Sequence, residues 1–253
     1  KRCSRWSRGL GDVYKRQLLY LFLLATPVWG LDGDDILAQV DHNLAPESYE
    51  MYRKLINQEP DGSRKEFVLY TAKKGRESMI ALFLAPPTDL GRTTLRLSDN
   101  MWLYIPEVGK PLRITSLQSV VGGIFNNSDL MRLEFSTEYE VQGVEEKGDE
   151  YLLDLKAKTG AVAYERLKMR VNRELLFRTV IEAYAASGLL IKTLSYKKVK
   201  DYGNGLVRPS VLETESPLYQ GYKAVMLFAK IQPREFPDEV FSLNYMPRVQ
   251  ELR

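Results

Sequence analysis

Cysteine and histidine are almost absent from this sequence. It contains one cysteine, Cys3, and one histidine, His42. Zinc sites normally take three or four ligands from histidine, cysteine and carboxylate side chains, so a histidine- or cysteine-based metal centre is excluded. A disulfide within the chain is excluded too, and no phosphate-binding loop or serine-lysine motif is present. We therefore expect no metal, no cofactor and no catalytic residue.

The sequence also lacks an apolar run long enough to cross a membrane. Residues 18–28 are apolar but fall short of the roughly 20 residues that a bilayer span needs. This run follows Lys15 and Arg16 and is closed by the small residue Gly30. A basic flank, a short apolar core and a small residue are typical of a secretory signal peptide. We predict a signal peptide that is cleaved near Gly30, and hence a periplasmic protein.

The basic surplus of the chain belongs to this leader. Residue 1 is not Met, and residues 1–17 are basic, rich in serine and arginine and without periodicity, so we expect them to be partly non-native. The 36 basic and 33 acidic residues of the whole sequence become 30 and 32 when residues 1–30 are removed. Nucleic-acid-binding proteins carry clustered Lys and Arg. A net negative, mixed-sign chain indicates that nucleic acid is not a partner.

Residues 31–253 contain no linker rich in proline, glycine or serine, and we predict that they form one domain. Acidic residues crowd its first turn, and Ile36, Leu37 and Val40 recur at helical spacing, which predicts a short amphipathic helix. Beyond it, short β-branched and aromatic runs alternate with turn residues and predict an antiparallel sheet. The predicted strands are 49–55, 66–72, 78–84, 94–97, 101–105, 112–115, 139–145, 151–157, 167–171, 175–184, 189–199, 208–214 and 223–231.

Two segments depart from the strand pattern. Residues 117–135 lose the alternation, and Ser128 is a candidate N-cap for a short helix there. Residues 237–243 resemble a final short helix. So many strands in one sheet twist and curl. We predict a mainly β fold, a large curved antiparallel sheet, with the first helix and residues 117–135 covering its concave face above a cavity.

Four segments carry a family resemblance. They are residues 99–106 (DNMWLYIP), residues 109–114 (GKPLRI), residues 126–130 (NNSDL) and the closing residues 237–246 (PDEVFSLNYM). With these segments the chain, from about Val40 onward, resembles the bacterial outer-membrane lipoprotein-sorting protein family, the LolA-like periplasmic carriers. It is longer than LolA, and we match none of its residues to the functional arginine of that carrier.

The resemblance implies an incomplete, half-open β-barrel whose helices form a lid over an apolar cavity. It implies a monomeric, non-enzymatic carrier that shields a lipid, or the acyl chains of a lipoprotein, for transfer to the outer membrane. Such a role would involve an inner-membrane transporter and an outer-membrane acceptor as partners. Each buried methylene contributes about 0.8 kcal/mol, so a chain can be held and handed on without covalent chemistry.

Bulky apolar residues in neighbouring predicted elements are the candidates for a ligand-contacting wall. Ordinary core packing is the alternative explanation for all of them. Parity places Trp102 and Tyr104 on one face of a strand but does not say which face is concave. The candidates are Phe83, Trp102, Tyr104, Phe125, Met131, Phe177 and Phe228.

Two further alternatives stay open at the level of sequence. Gly122 and Gly123 are compatible with a lid hinge or with a simple turn. The same half-barrel could serve an envelope sensor or adaptor that binds lipid or peptide and regulates a membrane partner. A carrier should release a lipid to an acceptor membrane, whereas a sensor should bind a protein with an affinity that lipid changes.

Overall fold

Antiparallel strands dominate the structure. The computed structural model describes residues 32–253, and the predicted signal peptide and the stretch before it lie outside this range. Thirteen strands in the described range form one sheet whose two edge strands do not pair with each other, which confirms the predicted incompletely closed sheet. The strands are β1 Tyr49–Gln58, β2 Arg64–Lys74, β3 Ser78–Ala85, β4 Thr93–Leu97, β5 Asn100–Tyr104, β6 Leu112–Ile114, β7 Tyr139–Lys147, β8 Glu150–Ala157, β9 Arg166–Asn172, β10 Arg178–Tyr184, β11 Leu190–Asp201, β12 Val207–Glu215 and β13 Lys223–Pro233.

Helices are few and short in the described residues. The α-helices are α1 Gly33–Leu44, α2 Asn127–Leu130 and α3 Phe135–Glu138, and the 3₁₀ segments are Pro87–Asp89, Asp238–Val240 and Leu243–Leu252. The predicted closing helix is therefore 3₁₀, and it extends well beyond residue 243. A proline inside the last segment, Pro247, has no N–H for a helical hydrogen bond.

The strand order consists of two meanders that meet in the middle of the sheet. From one edge to the other it runs β6-β5-β4-β3-β2-β1-β13-β12-β11-β10-β9-β8-β7. The first and last strands are paired along their length, from Tyr49 opposite Pro233 to Gln58 opposite Lys223. The edges β6 and β7 are consecutive in sequence, and residues 115–138, which carry α2 and α3, connect them.

The two faces of the sheet pack against different segments. On the inner face, which we define as the face that carries the α-helices, Ile36, Leu37, Val40 and Leu44 of α1 join the main apolar core. On the opposite, outer face a second core forms under the C-terminal 3₁₀ segments. Its buried members are Tyr70, Ala72, Ile80, Leu82, Leu95, Phe236, Val240, Phe241, Met246, Val249 and Leu252.

Strand β3 shows how the sequence encodes this double burial. Met79, Ala81 and Phe83 point to the inner core, while Ile80 and Leu82 point to the outer one. A strand that is buried on both faces reads as a continuous apolar run and not as an alternation. The second face therefore needs a cover, which the C-terminal segments provide.

Hydrogen bonds from distant side chains fix the covering helices. Asp41 of α1 accepts the backbone N–H of Phe135 at 3.1 Å and of Ser136 at 2.8 Å, and so caps α3 from another helix. Burial raises the pKa of Asp41 despite these two hydrogen bonds. First-turn N–H groups have no partner within their own helix. These two hydrogen bonds therefore satisfy donors of α3 and connect it to α1.

Two local predictions require correction, and the structure decides between the two alternatives for Gly122 and Gly123. The N-cap of α2 is Asn126, whose side chain forms a reciprocal capping box with Asp129, and Ser128 lies inside the helix. Strand β10 begins at Arg178 and not at residue 175, because Leu176 has a positive φ of 45° that a strand cannot continue through. Gly122 and Gly123 form a turn, in which Gly123 donates to the carbonyl of Val120.

Candidate functional site

A cavity lies between the inner face of the sheet and the covering helices. Its volume is about 80 Å³. Its apolar lining comes from α1, from residues 130–135 and from strands of both meanders. These residues are Leu44, Ala45, Met51, Met79, Leu130, Leu133, Phe135, Leu194, Leu212, Met226 and Phe228. The predicted cavity is thus present, with room for a few water molecules but not for an acyl chain.

Charged side chains also line this cavity or lie just behind its wall. Most of them are buried and paired with an opposite charge, as buried ions must be if they are not to cost several kcal/mol each. The pairs are Lys73 with Glu134 at 3.4 Å, Arg96 and Arg132 with Glu138 at 2.6 and 2.5 Å, and Lys192 with Asp129 at 2.9 Å.

Three arginines break this rule. Arg53, Arg178 and Arg208 line the cavity, yet no Asp or Glu oxygen of residues 32–253 lies within the 4.0 Å that defines a salt bridge. Arg53 and Arg208 are each 4% exposed. Burial lowers the pKa of both to about 10, so both remain cationic at neutral pH. Two buried positive charges, Arg53 and Arg208, and a third that is partly exposed, Arg178, therefore surround one cavity.

These arginines form one row with aromatic residues across five neighbouring strands. Arg53 on β1 is opposite Phe228 on β13, and the guanidinium of Arg208 on β12 lies 4.7 Å from the centre of the Phe228 ring. Arg178 on β10 lies 4.6 Å from the ring centre of Tyr196 on β11. Stacking on an aromatic face holds a guanidinium without neutralising it. We call Arg53, Arg208 and Arg178 the arginine row.

Two members of the arginine row also hold the covering helices. Arg53 Nη1 donates to the carbonyl of Leu130, the last residue of α2, at 2.7 Å, and Arg208 Nη1 donates to the carbonyl of Leu44, the last residue of α1. The last carbonyls of a helix have no partner within it. Because these bonds connect sheet and lid, displacement of the lid would free the Nη1 donor of each guanidinium group, while Arg53 Nη2 keeps its hydrogen bond to Thr71 on β2.

A comparison with Arg132 shows what a carboxylate partner changes. Burial alone would lower the pKa of Arg132 as it does for Arg53, but Glu138, together with smaller contributions from Tyr139, Asp129 and Tyr164, outweighs burial and raises the pKa. The difference lies in the carboxylate partner, since both side chains line the same cavity and neither is more than 10% exposed. The interior thus contains cations that a carboxylate neutralises and, in the arginine row, cations that have no carboxylate partner within salt-bridge distance.

The structure brings four of the seven predicted contact residues to the inner core. Phe83, Phe125, Met131 and Phe228 are buried there, and Phe228 lines the cavity itself. Whether any of them contacts a ligand stays a prediction. Phe177 is buried in the connection between β9 and β10 and belongs to neither core.

Trp102 and Tyr104 lie on the outer face and not on the cavity wall. Both pack against the second core, beneath the C-terminal 3₁₀ segments. Parity correctly placed them on one face of β5, but the inward residue of that strand is Met101. Their expected place on the concave wall is therefore corrected. The physical reason is that the C-terminal segments give the outer face an apolar cover of its own.

Sequence reasoning missed the arginine row, although one signal was present. Arg53 occurs in phase with Tyr49, Met51 and Leu55. The alternation of β1 therefore predicts that this charged side chain points inward, at a position where an apolar residue is expected. Arg178 and Arg208 gave no comparable warning, because irregular pairing interrupts β10 at Arg178 and Arg208 adjoins a proline.

Comparison with known proteins agrees with this architecture. A family model described as an uncharacterized protein matches residues 75–248, more than half of the chain. A LolA superfamily protein from Nitrosomonas europaea is 25% identical, with a TM-score of 0.78 over 85% of this chain and 100% of its own. No curated protein matches the sequence.

Two further solved structures share the fold. A DUF1329 family protein from Desulfovibrio piger is 20% identical, with a TM-score of 0.74 over 85% of this chain and 97% of its own. An outer membrane lipoprotein-sorting protein domain from Vibrio parahaemolyticus is 16% identical, with a TM-score of 0.71 over 85% of this chain and 98% of its own. The chain therefore belongs to the family of the matching model, and its half-open sheet has the LolA-like fold of these solved structures.

Proposed function

We propose that this protein is a periplasmic carrier that shields a lipid, or the acyl chains of a lipoprotein, for transfer to the outer membrane. The observation that carries the proposal is the cavity between an apolar sheet face and a lid made of separate short segments. The family supports it, since the solved relatives include a lipoprotein-sorting protein domain. No catalytic step is needed, because an acyl chain moves from one apolar site to a tighter one without any covalent bond being formed or broken.

The size of the cavity implies that the lid moves when a ligand enters. A site for a molecule of lipid size typically has a volume of about 300–1,000 Å³, several times the volume found here. The sheet is a continuous hydrogen-bonded layer, whereas α1 and residues 115–138 are held mainly by side chains. Outward displacement of these two segments would extend the cavity along the inner face.

The proposed location rests on the predicted signal peptide. Within residues 32–253 no helix has the length and apolar character to cross a membrane. A donor in the inner membrane and an acceptor in the outer membrane would be the partners of such a carrier. Both belong to the proposal.

A larger side chain in the cavity should weaken lipid binding. We expect Leu212→Trp to weaken binding of a fluorescent fatty acid to residues 31–253 at least tenfold, because Leu212 lines the cavity and a larger ring occupies its free volume. Leu189→Trp is the matched control, since Leu189 is 53% exposed. Overpacking costs about 1–3 kcal/mol, so circular dichroism and thermal unfolding must first establish that the variant is folded.

Native mass spectrometry of the protein purified from a bacterial periplasm, followed by extraction, would identify a resident lipid. Acyl species near one per protein would support the carrier. Protein that is free of lipid and takes up no fatty acid would overturn it, and a search for protein partners of an envelope sensor would then come first.

Substitutions on the inner face of the sheet should affect lipid binding, whereas substitutions on the outer face should affect only stability. We expect Phe228→Ala to weaken lipid binding, because Phe228 lines the cavity, and Trp102→Ala to leave binding unchanged while it lowers the free energy of unfolding. Truncation of a large buried aromatic residue costs about 3–5 kcal/mol, and Trp102, which is partly exposed, should cost less. Lipid titration and urea unfolding of both variants would test this. Equal loss of affinity in both would contradict the assignment of faces.

A further inference from the structure

The arginine row leaves hydrogen-bond donors unused inside the protein. The Nε atoms of Arg53, Arg178 and Arg208 are buried and have no acceptor within the described residues. Buried donors of a charged group are expected to be satisfied, and each exception needs an explanation. Because these three unsatisfied donors line one cavity, we look for a single explanation for all of them.

The acidic residues around the cavity do not accept hydrogen bonds from these Nε–H groups, because each of them bonds to other groups. Asp41 accepts the backbone N–H groups of α3, and Glu134 pairs with Lys73 and with Arg76. Asp129 accepts hydrogen bonds from Lys192, from Tyr164 and from the backbone of Asn126. The charge of Arg178 acts on Asp41, but within residues 32–253 no carboxylate lies within salt-bridge distance of the arginine row.

The three guanidinium groups are close enough to act on one another. Besides burial, the charge of Arg178 contributes to the lowered pKa of Arg208, and that of Arg208 to the lowered pKa of Arg53. All three charges also act on the hydroxyl of Tyr49, which faces the same cavity. An anion in the cavity would relieve this repulsion and accept the free Nε–H groups, in the bidentate geometry that guanidinium offers to carboxylate and phosphate.

We propose that the cavity binds an amphiphile through an oxyanion headgroup, phosphate or carboxylate, that is held by Arg53, Arg178 and Arg208, with its acyl chain along the apolar inner face. This inference rests on the proposed carrier function and names its ligand class. The surroundings favour an amphiphile over a free ion, because Met226, Leu212 and Phe228 line the same cavity. A free anion would leave this apolar lining without a partner.

Three probes, which separate the contribution of the phosphate from that of the acyl chain, test the proposal. They are 1-oleoyl lysophosphatidic acid, the monoacylglycerol with the same acyl chain, and inorganic phosphate, each titrated into residues 31–253. We expect lysophosphatidic acid to bind at least tenfold more tightly than the monoacylglycerol. Arg178→Gln and Arg208→Gln should weaken binding of lysophosphatidic acid more than binding of the monoacylglycerol and so remove most of that difference, and Arg178→Lys should restore part of it. Arg166→Gln, on an arginine that is 53% exposed, is the control.

The outcomes separate the headgroup from the carrier. If both lipids bind equally and the arginine variants change neither, the carrier stands and the headgroup proposal falls. If neither lipid binds while phosphate does so in an arginine-dependent way, the site takes a free anion and both proposals fall. If no probe binds to a folded protein, both fall as well. Loss of the difference in Arg166→Gln would show a general charge effect and would also overturn the proposal.

Discussion

Replacing Asp129 with asparagine should lower the free energy of unfolding by about 3–5 kcal/mol, the cost of breaking a buried ion pair from one side. Asp129 Oδ2 lies 2.9 Å from Lys192 Nζ, and Lys192 is 3% exposed. The substitution leaves that ammonium group buried without a counter-charge. An amide oxygen in the place of Oδ2 can still accept the Asn126 N–H of the capping box, so the expected loss comes from the missing charge.

Urea unfolding of residues 31–253 would measure this loss. Glu213→Gln is the matched control, because its salt bridge with Lys197, at 2.5 Å, is about half exposed on both sides. Exposed pairs of this kind contribute about 0–1 kcal/mol. A loss below 1 kcal/mol for Asp129→Asn would mean that water reaches Lys192 and that the lid is open at rest.

Replacing Glu138 with glutamine should have an effect of similar size. The Glu138 carboxylate is the one counter-charge within salt-bridge distance of both Arg96 and Arg132 in the described chain. Its removal leaves two buried guanidinium groups beside the arginine row. We expect the free energy of unfolding to fall by about 3–5 kcal/mol.

A second substitution can show that stranded charge is the cause. Adding Arg96→Met to Glu138→Gln removes one of the two unpaired cations and should recover part of the loss. Asp154→Asn, at a more exposed pair with Arg166, is the surface control and should change stability by less than about 1 kcal/mol. If the double variant were less stable than Glu138→Gln alone, the packing of Arg96 and its bond to the Met131 carbonyl would outweigh its charge.

The sheet could be predicted from the sequence because its signals are local. Alternation and turn residues indicated all thirteen strands, since each strand carries its own period and its own punctuation. The end of a strand was less certain where it depends on one backbone angle, as at Leu176. Capping of α2 was missed by two positions, because Asn126 and Ser128 are both good caps and only the reciprocal bond with Asp129 decides between them.

The site could not be predicted in the same way, because its determinants are far apart in sequence. Asp129 and Lys192 are 63 residues apart, and Arg53 reaches a carbonyl 77 residues away. A period shows that Trp102 and Tyr104 share a face, but which face is covered by helices depends on the whole topology. The unpaired state of the arginine row depends on where each acid makes its contacts, which no local pattern contains.

The pairing of β1 with β13 sets an order in which the protein can be completed. When the N-terminal end of the chain appears first, the meander β1 to β6 can form at once. The edge of β1 that faces away from β2 pairs with β13, Lys223–Pro233, and this strand appears only near the end of the chain. Until then a long strand edge is exposed, which is a hazard for aggregation. Under the proposed export, the last strand to cross the membrane is thus the one that joins the two halves of the sheet, and an assisting factor in the envelope would be needed most before that step.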